Sequence, residues 1–501
     1  LGRVYSQGAV RTVDSSGFTF PSTPAGHFVQ HRNLLEAELA HDVDALVPRR
    51  PRWLRGVAYR LRYKGVYEGL YDYGPDEYSE QEEVVPPSPF GPSERRTVNR
   101  TATNRQVLGV QNELWNAYAQ ASAGPLFARL GRQDLSWGET DGFRLLDMIE
   151  PLDNRFGFPL VEDLDDRRIP LWMARANVAL PWRSRAVSNV TLEGFLVPGS
   201  IEEQEAPLSP RGSPFAAPAP PSFLGRVVTR PPANMRGSRG GGRLLGTVRG
   251  NTTVSLAHYV TWNDAPAVRL RVLGVDLVDG APQPEAALEF AFYRQQITGG
   301  SLTTQISRLD AVLRAEAATF WDERVFDVAR AGLGPRFPEV VGEAIADRLA
   351  GGRGTAAGGF TRKDVFRWVL GFDRFQWVRA VNPTNVFSTS AQIFHTHILD
   401  HDDGIRNGIL DPATRGFVAR KEDEITLTLL VSTLFWRGRL APQVFAAYDP
   451  RGVFSAVPGI TWLVGTHVRV TAKYAFLDGE FVNLGFFRDR DELLLRIEAS
   501  L

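Results

Sequence analysis

Apolar and polar residues alternate one by one over long stretches, and this two-residue period constrains the chain more than any other feature. From 53 to 64, Trp53, Val57, Tyr59, Leu61 and Tyr63 take one face. Gly56, Ala58, Arg60, Arg62 and Lys64 take the other. Between 253 and 262, Val254, Leu256, Val260 and Trp262 oppose Thr253, Ser255 and Thr261; between 309 and 321, Leu309, Ala311, Leu313, Ala315 and Ala317 oppose Asp310, Arg314 and Glu316. From 467 to 476, Val468, Val470, Ala472, Tyr474 and Phe476 oppose His467, Arg469, Thr471 and Lys473. Side chains along a strand point alternately to opposite faces, so each stretch has one apolar and one polar side. A bilayer-crossing strand needs roughly 9 to 11 tilted residues, against about 5 or 6 in an ordinary sheet. The pattern predicts an all-β fold: a closed antiparallel transmembrane β-barrel with lipid outside and a polar lumen inside.

The C-terminus continues the pattern. Leu493, Leu495, Ile497, Ala499 and Leu501 alternate with Glu492, Arg496, Glu498 and Ser500, which predicts a closing strand; a helix would also place Leu493, Ile497 and Leu501 together. Outer-membrane barrels commonly end on an apolar residue in phase with such a stripe, usually Phe. Trp53, Tyr63, Trp262, Tyr293, Trp321, Trp436 and Tyr474 fall near the ends of alternating stretches, as rings of an interfacial girdle would. Asp478-Gly479 and Asp449-Pro450-Arg451-Gly452 read as tight turns. Long connections are expected over 72–107, 198–241, 322–360 and 400–423. The second, rich in Pro and ending on Gly240, Gly241 and Gly242, is expected to be a flexible loop. A short helix is expected over 338–350, between Pro338 and Gly351. Bacterial barrels have even strand numbers, and about 16 strands are expected here.

Composition excludes several classes. The formal charge is +0, so no net field favours nucleic acid. Cys is absent, which excludes disulfides, thiolate metal sites and Cys nucleophiles and suits passage through an oxidising compartment. No apolar run is long enough for a membrane helix. The start at Leu1 fits removal of a signal peptide. No cofactor is expected.

Residues 129–175 break the alternation. Arg129, Arg132, Glu139, Asp141, Arg144, Asp147, Asp153 and Arg155 are interleaved with Leu145, Leu146 and Met148, and Glu162, Asp163, Asp165 and Asp166 follow. Such a block is costly against lipid and easily satisfied within a polar lumen, so it is expected to fold into the barrel or over its periplasmic mouth, held by Arg–carboxylate pairs. This block, LGRQDLSWGETDGFRLLDMIEPLDNRFGFPLVEDLDDRRIPLWMARAN over 130–177, resembles a family of Gram-negative outer-membrane proteins catalogued as domain of unknown function thirteen-oh-two. The run FRWVLGFDRFQWVRAVNPTNVFSTSAQIFHTHILDHDD over 366–403 and the stretch from Glu424 to Gly479 resemble it too. The resemblance implies an outer-membrane barrel. It also implies association with an inner-membrane exporter of the RND (resistance-nodulation-division) type and a periplasmic lipoprotein-like partner, hence export of hydrophobic molecules. It implies no catalytic residues.

Three smaller motifs have bland alternatives. Asp400, Asp402, Asp403 and Gly404, with Asp411, resemble the start of a calcium loop, though a solvated turn is the simpler expectation. His395 and His397 share a strand face and could bind zinc with His258 or His467; interior polar lining is favoured. Ser388 or Ser390 beside His395 is a conceivable hydrolase pair, but no nucleophile elbow accompanies it, and a non-enzyme is expected. The favoured function is a pore or export portal, with Arg60, Arg62, Lys64, Arg314, Glu316, Arg469 and Lys473 lining the lumen and the polar block gating it. The alternatives are a plugged barrel anchoring an envelope complex and a soluble all-β binding protein or enzyme. Outer-membrane lipid and lipopolysaccharide, the exporter, the lipoprotein and envelope subunits are the expected partners.

Overall fold

The computed structural model describes residues 2–15, 22–43, 53–79, 82–85, 96–99, 103–157, 160–182, 184–202, 204–210, 212–216 and 224–500. Leu501 and Pro218, Pro220 and Pro221 of the long loop lie outside the described residues. The alternating stretches form wall strands β1 (Gly2–Arg11), β2 (Phe28–Asp42), β3 (Leu54–Glu68), β4 (Val110–Ala123), β5 (Leu126–Gln133), β6 (Leu171–Ala179), β7 (Val187–Val197), β8 (Arg239–Val248) and β9 (Thr252–Trp262). The ring continues with β10 (Arg294–Ile306), β11 (Ala311–Asp327), β12 (Thr361–Gln376), β13 (Phe387–Ile398), β14 (Asp423–Ser432), β15 (Leu440–Asp449), β16 (Val453–Val464), β17 (Val468–Gly479) and β18 (Glu492–Ser500). Each pairs antiparallel with its neighbours, and β18 closes the ring onto β1 in a register from Arg3↔Ser500 to Arg11↔Glu492. The barrel thus has 18 strands rather than 16.

Wall strands that hide their alternation explain the higher number. The glycine run expected to end a flexible loop instead opens β8, RGGGRLLGTV: Gly240 to Gly242 pair on both sides, with β7 and β9. A Cβ at Gly241 would lie 2.2 Å from Tyr259 Cβ and 2.5 Å from the His258 carbonyl, so only glycine lets these backbones approach. Asp478 and Gly479 end β17 rather than forming a tight turn, and 480–491, with a one-turn helix over Asn483–Phe487, connects to β18.

The two faces differ as the period requires. On β18, Leu493, Leu495 and Ile497 are 48%, 50% and 52% exposed, whereas Glu492, Arg496 and Glu498 are buried. The same split separates Leu61 and Tyr63 from Lys64, and Leu256 from Ser255 and Tyr259. An outer surface this rich in exposed leucine, phenylalanine and tryptophan is not that of a soluble monomer, and the soluble alternative ends here. Against hydrocarbon it is the low-energy arrangement, since a closed barrel leaves no backbone edge unpaired. No helix among the described residues is long and apolar enough to cross a membrane.

Connections sort by end. At the end that carries both termini they are 124–125, 180–186, 249–251, 307–310 and 465–467, with 43–53, 377–386 and 433–439 somewhat longer. At the other end they include 69–109, 134–170, 198–238, 263–293, 328–360 and 399–422. Short periplasmic turns and long external loops are the outer-membrane arrangement. Trp53, Trp182, Trp377 and Trp436 lie exposed at the short-turn end, and Trp321 at the other, as girdles. Trp262 and Tyr293 are not girdle rings: Trp262 is covered by Ala206 and Phe292, and its indole N–H donates to the Gly237 carbonyl (2.7 Å).

Alternation also occurs where there is no wall. Residues 267–278 and 281–291 form a hairpin outside the ring, joined by Gly225–Thr229 and Ala356–Ala357 into a four-stranded sheet. Helix α1 (Phe337–Leu349), with Pro338 in its first turn, packs Val340, Val341 and Ala344 onto Leu270 and Val272 of this sheet. This satellite stands at the long-loop end.

Candidate functional site

The last rung between β5 and β6 is Gln133↔Leu171, and 134–170 leave the wall there. Of the polar block, Arg129 and Arg132 belong to β5 and Arg175 to β6. The inner segment is almost irregular, with one four-residue helix over Leu164–Arg167. Irregular backbone must still satisfy its N–H and carbonyl groups, and the wall's inward polar side chains supply the partners. Glu316 on β11 accepts from the N–H of Glu139 and of Leu146 (3.2 Å to the latter). Gln392 on β13 accepts from the Asp141 N–H (3.2 Å). Tyr259 and Thr261 on β9 donate to the carbonyls of Leu146 (2.7 Å) and Met148 (2.9 Å), and Arg239 on β8 donates to that of Ile149 (2.5 Å). Lys473 on β17 and Lys64 on β3 donate to the carbonyls of Val161 (2.8 Å) and Asp166 (3.0 Å).

Ion pairs repeat the pattern. Arg314 joins Asp141 to Asp373 (2.6 Å), and Ser390 and Gln392 also donate to Asp141 (3.1 and 3.2 Å). Across the ring, Arg496 reaches Asp163 (3.1 Å) and Asp166 (3.5 Å), Arg3 reaches Asp166 (2.6 Å), and Lys473 reaches Asp163 (2.9 Å). Glu162 accepts from Gln7 (2.7 Å), Gln30 (3.2 Å) and Arg32 (3.4 Å). β9 and β18 are nine places apart in an 18-membered ring, so the segment is tied to opposite walls. Within it, Arg168 pairs with Asp147 and Glu150 (3.3 Å), and Arg155 grips Asp153 through two bonds (2.9 and 2.7 Å), while Arg144 reaches out to Asp264 of the 263–293 connection.

Apolar contacts lock both sides. Leu135, Trp137, Leu145, Leu146 and Ile149 pack against Phe195, Tyr259, Ile297, Phe320 and Val369 of the wall. The Trp137 ring stands edge-on to Phe195 and Tyr259 at 5.2 and 5.5 Å. Val161 packs opposite, against Ala9, Val29, Ala475 and Leu494. Complete burial, then the Asp147 carboxylate, push Glu150 up to about 8. Burial would also raise Asp166, but Arg3, Arg496 and Lys64 outweigh it and hold that carboxyl below its usual range.

Other singled-out residues lie at the edges of this lattice. Arg60 pairs with Glu38 and Arg62 with Glu36, each at 2.6 Å. Arg469 reaches Glu498 at 3.4 Å and is half exposed. Arg129 stacks 4.3 Å from the Tyr118 ring, and Arg132 sits at the rim between Glu113 (3.1 Å) and Glu202 (3.7 Å). Glu162, Asp163 and Asp166 are paired as the polar block predicts, but their wall partners Arg3, Arg32 and Arg496, and the anchor Arg239, are not singled out in the sequence as lumen residues. Arg496 was legible as the polar partner of the C-terminal stripe, whereas Arg239 lay in a stretch that reads as loop.

His395 and His397 are not interior lining. Gln392 sets the inward phase of β13, so both imidazoles face outward, sharing Asp423 Oδ1 at 2.8 and 2.9 Å, with Trp368 beside His395. Ser390 faces inward onto Asp141, so no Ser–His pair forms across the sheet. His258 bonds Thr298 (2.8 Å) on a different part of the wall. The acidic turn is not a cation cage: Asp402 pairs with Lys363 (3.0 Å) and caps the Gly404 N–H (3.0 Å), and Asp400 gives Lys363 its carbonyl while Asp403 gives Arg406 its own. Among the described residues no group of three or more His, Cys, Asp or Glu gathers to hold a metal.

The geometry is that of an outer-membrane barrel with an occupied lumen, and residues 54–501 match the family described as protein of unknown function (DUF1302). The chain belongs to the DUF1302 family. Among solved structures, this DUF1302 barrel is similar to OccK1 (OpdK) of Pseudomonas aeruginosa, at 9% identity and TM-score 0.45, over 100% of this chain and 98% of that one. It is also similar to Wzi of Escherichia coli, an outer-membrane protein involved in group 1 capsule assembly and a carbohydrate-binding β-barrel, at 11% identity and TM-score 0.42, over 100% and 84%. No curated protein matches the DUF1302 chain.

Proposed function

We propose that this DUF1302 protein is an outer-membrane pore or export portal whose permeation is set by the inner segment 134–170. One observation carries the reading: the segment is bonded to β9 and to β18, on opposite walls, through charged and polar side chains that a purely structural barrel could replace with apolar ones. Its acidic groups face wall cations on the β17–β18–β1–β3 side, so local charge nearly cancels and ion selectivity is weak. The family resemblance extends the reading to hydrophobic or lipid-like cargo delivered by an RND-type exporter with a periplasmic lipoprotein-like partner. Lipid and lipopolysaccharide meet the outer face. No catalytic step is assigned to the lumen.

Gln133 and Leu171 already face each other, so an Asn-Gly turn can replace 134–170 without moving the wall. In planar bilayers this excision raises single-channel conductance several-fold over the intact protein. If both forms are silent, the portal reading fails. The alternative of a plugged barrel anchoring an envelope complex is favoured by the apolar clusters that lock the segment to both walls. Zero conductance with co-purifying envelope subunits selects it. Cross-linking in intact envelopes tests the exporter: recovery of the barrel without any inner-membrane protein removes that partner.

A further inference from the structure

At the long-loop end, above the inner segment, lies a cavity of about 460 Å3, within the size range of small-molecule sites. Arg144 and Met148 of the segment contribute to its lining, with the tops of β11 and β12, the satellite hairpin and Ile405–Leu410 around them. Five guanidinium groups line it, and three are committed. Arg144 pairs with Asp264, Arg367 takes both oxygens of Glu323 (2.7 and 2.8 Å), and Arg420 binds Glu424 (3.2 Å). The remaining two have no carboxylate within 4 Å among the described residues. Arg324 lies over the rings of Tyr293 (5.1 Å) and Phe360 (4.3 Å), and Arg406 donates only to the carbonyls of Asp403 and Ile405 (2.9 Å to the latter). The one other carboxylate on the wall, Asp327, is occupied by the Arg330 N–H (3.0 Å) and Thr361 (3.3 Å). Beside Arg406, the side-chain amide nitrogen of Asn407 is enclosed and unpartnered.

Two guanidinium groups without a carboxylate partner and an idle donor on one concave wall can exchange water for an anion. Arg suits this use: its guanidinium stays charged, stacks on rings and presents paired donors to a carboxylate. The flanking Tyr293, Phe326, Phe360 and Met148 would cover an apolar body rather than a bare inorganic ion. We infer that this cavity is a binding site for a small organic carboxylate, with Arg324, Arg406 and Asn407 holding the carboxylate and the rings holding its apolar part. As the entrance of a conduit the site rests on the portal reading; as a binding site it does not.

The test uses the full-length protein in detergent micelles and calorimetric titration with benzoate, cyclohexanecarboxylate, benzyl alcohol and benzylammonium. Both carboxylates bind, and the alcohol and the amine bind at least about tenfold more weakly, the difference expected for one charge-assisted hydrogen bond. Arg324→Gln and Arg406→Gln each weaken the carboxylates about tenfold, whereas Arg308→Gln, on the exposed turn at the opposite end, leaves them unchanged. Equal affinity for the four ligands, absence of binding, or an equal loss in Arg308→Gln overturns the inference; the ligand series on the unaltered protein decides it even where a variant misfolds. Conductance of the same preparations separates the two proposals. Binding without conductance removes the portal and leaves the site, and conductance without carboxylate binding removes the site alone.

Discussion

At the scale of single residues, Arg314 and Glu150 carry the most. Arg314 neutralises Asp141 of the inner segment and Asp373 of the wall together, and also holds the Glu139 carbonyl. Arg314→Ala leaves two partly exposed carboxylates without their shared cation, at a cost of about 1 to 3 kcal/mol. It should lower the denaturation midpoint and add open-state flicker to bilayer recordings; unaltered traces would mean the pair is ornamental. Glu150 is a buried acid whose folded pKa, up to about 8, lies above the value of about 4.3 it has unfolded. The folded state therefore holds the proton more tightly. The stability this contributes is complete below about pH 4.3 and is lost as pH rises through about 8. The melting temperature of the unaltered protein should fall between pH 5 and 9 by more than that of Glu150→Gln; parallel curves would assign the slope elsewhere. Neither role was legible from residue order alone. Glu150 looks like any acid of a charged run, and its raised pKa comes from complete burial and from the Asp147 carboxylate brought near it, against the opposing pull of Arg168 and the Leu135 N–H.

At the scale of elements, the period of two was readable wherever one face meets hydrocarbon and the other a crowded polar interior, as in β3, β17 and β18. It misleads wherever a sheet has two faces for another reason. Residues 267–291 alternate because one side packs on α1, and nothing in their order separates that from a wall hairpin. It vanishes in β8, where Gly241 gives up its side chain so that Tyr259 can reach the inner segment. The inner segment announced itself as a polar block, but its anchor residues are scattered over the wall from Arg3 to Arg496, and only the closed ring brings them together. β18 offers the element-scale test. Leu495→Arg puts a cation on the lipid face of the closing strand and should cost about 2 to 4 kcal/mol if it lies at mid-bilayer. Leu494→Arg, pointing inward, should instead disturb the Val161 contact and leave lipid partitioning untouched. Equal effects on partitioning would deny that the two positions face different media.

At the scale of the whole molecule, the purified protein should require detergent and should migrate faster on gels unheated than boiled, because the closed ring resists the denaturant. Identical mobility would argue against closure. The seam between β18 and β1 joins positions such as Gln7 and Arg496, 489 residues apart in the chain. Contacts that distant form slowly, because the loop entropy must be met before any rung rewards it. Until they form, both rims of the half-built cylinder present bare peptide groups to whatever lies nearby. Insertion is therefore a race between self-closure and coalescence with a neighbouring copy. The last rungs to zip, between Arg3–Arg11 and Glu492–Ser500, decide how often that race is won.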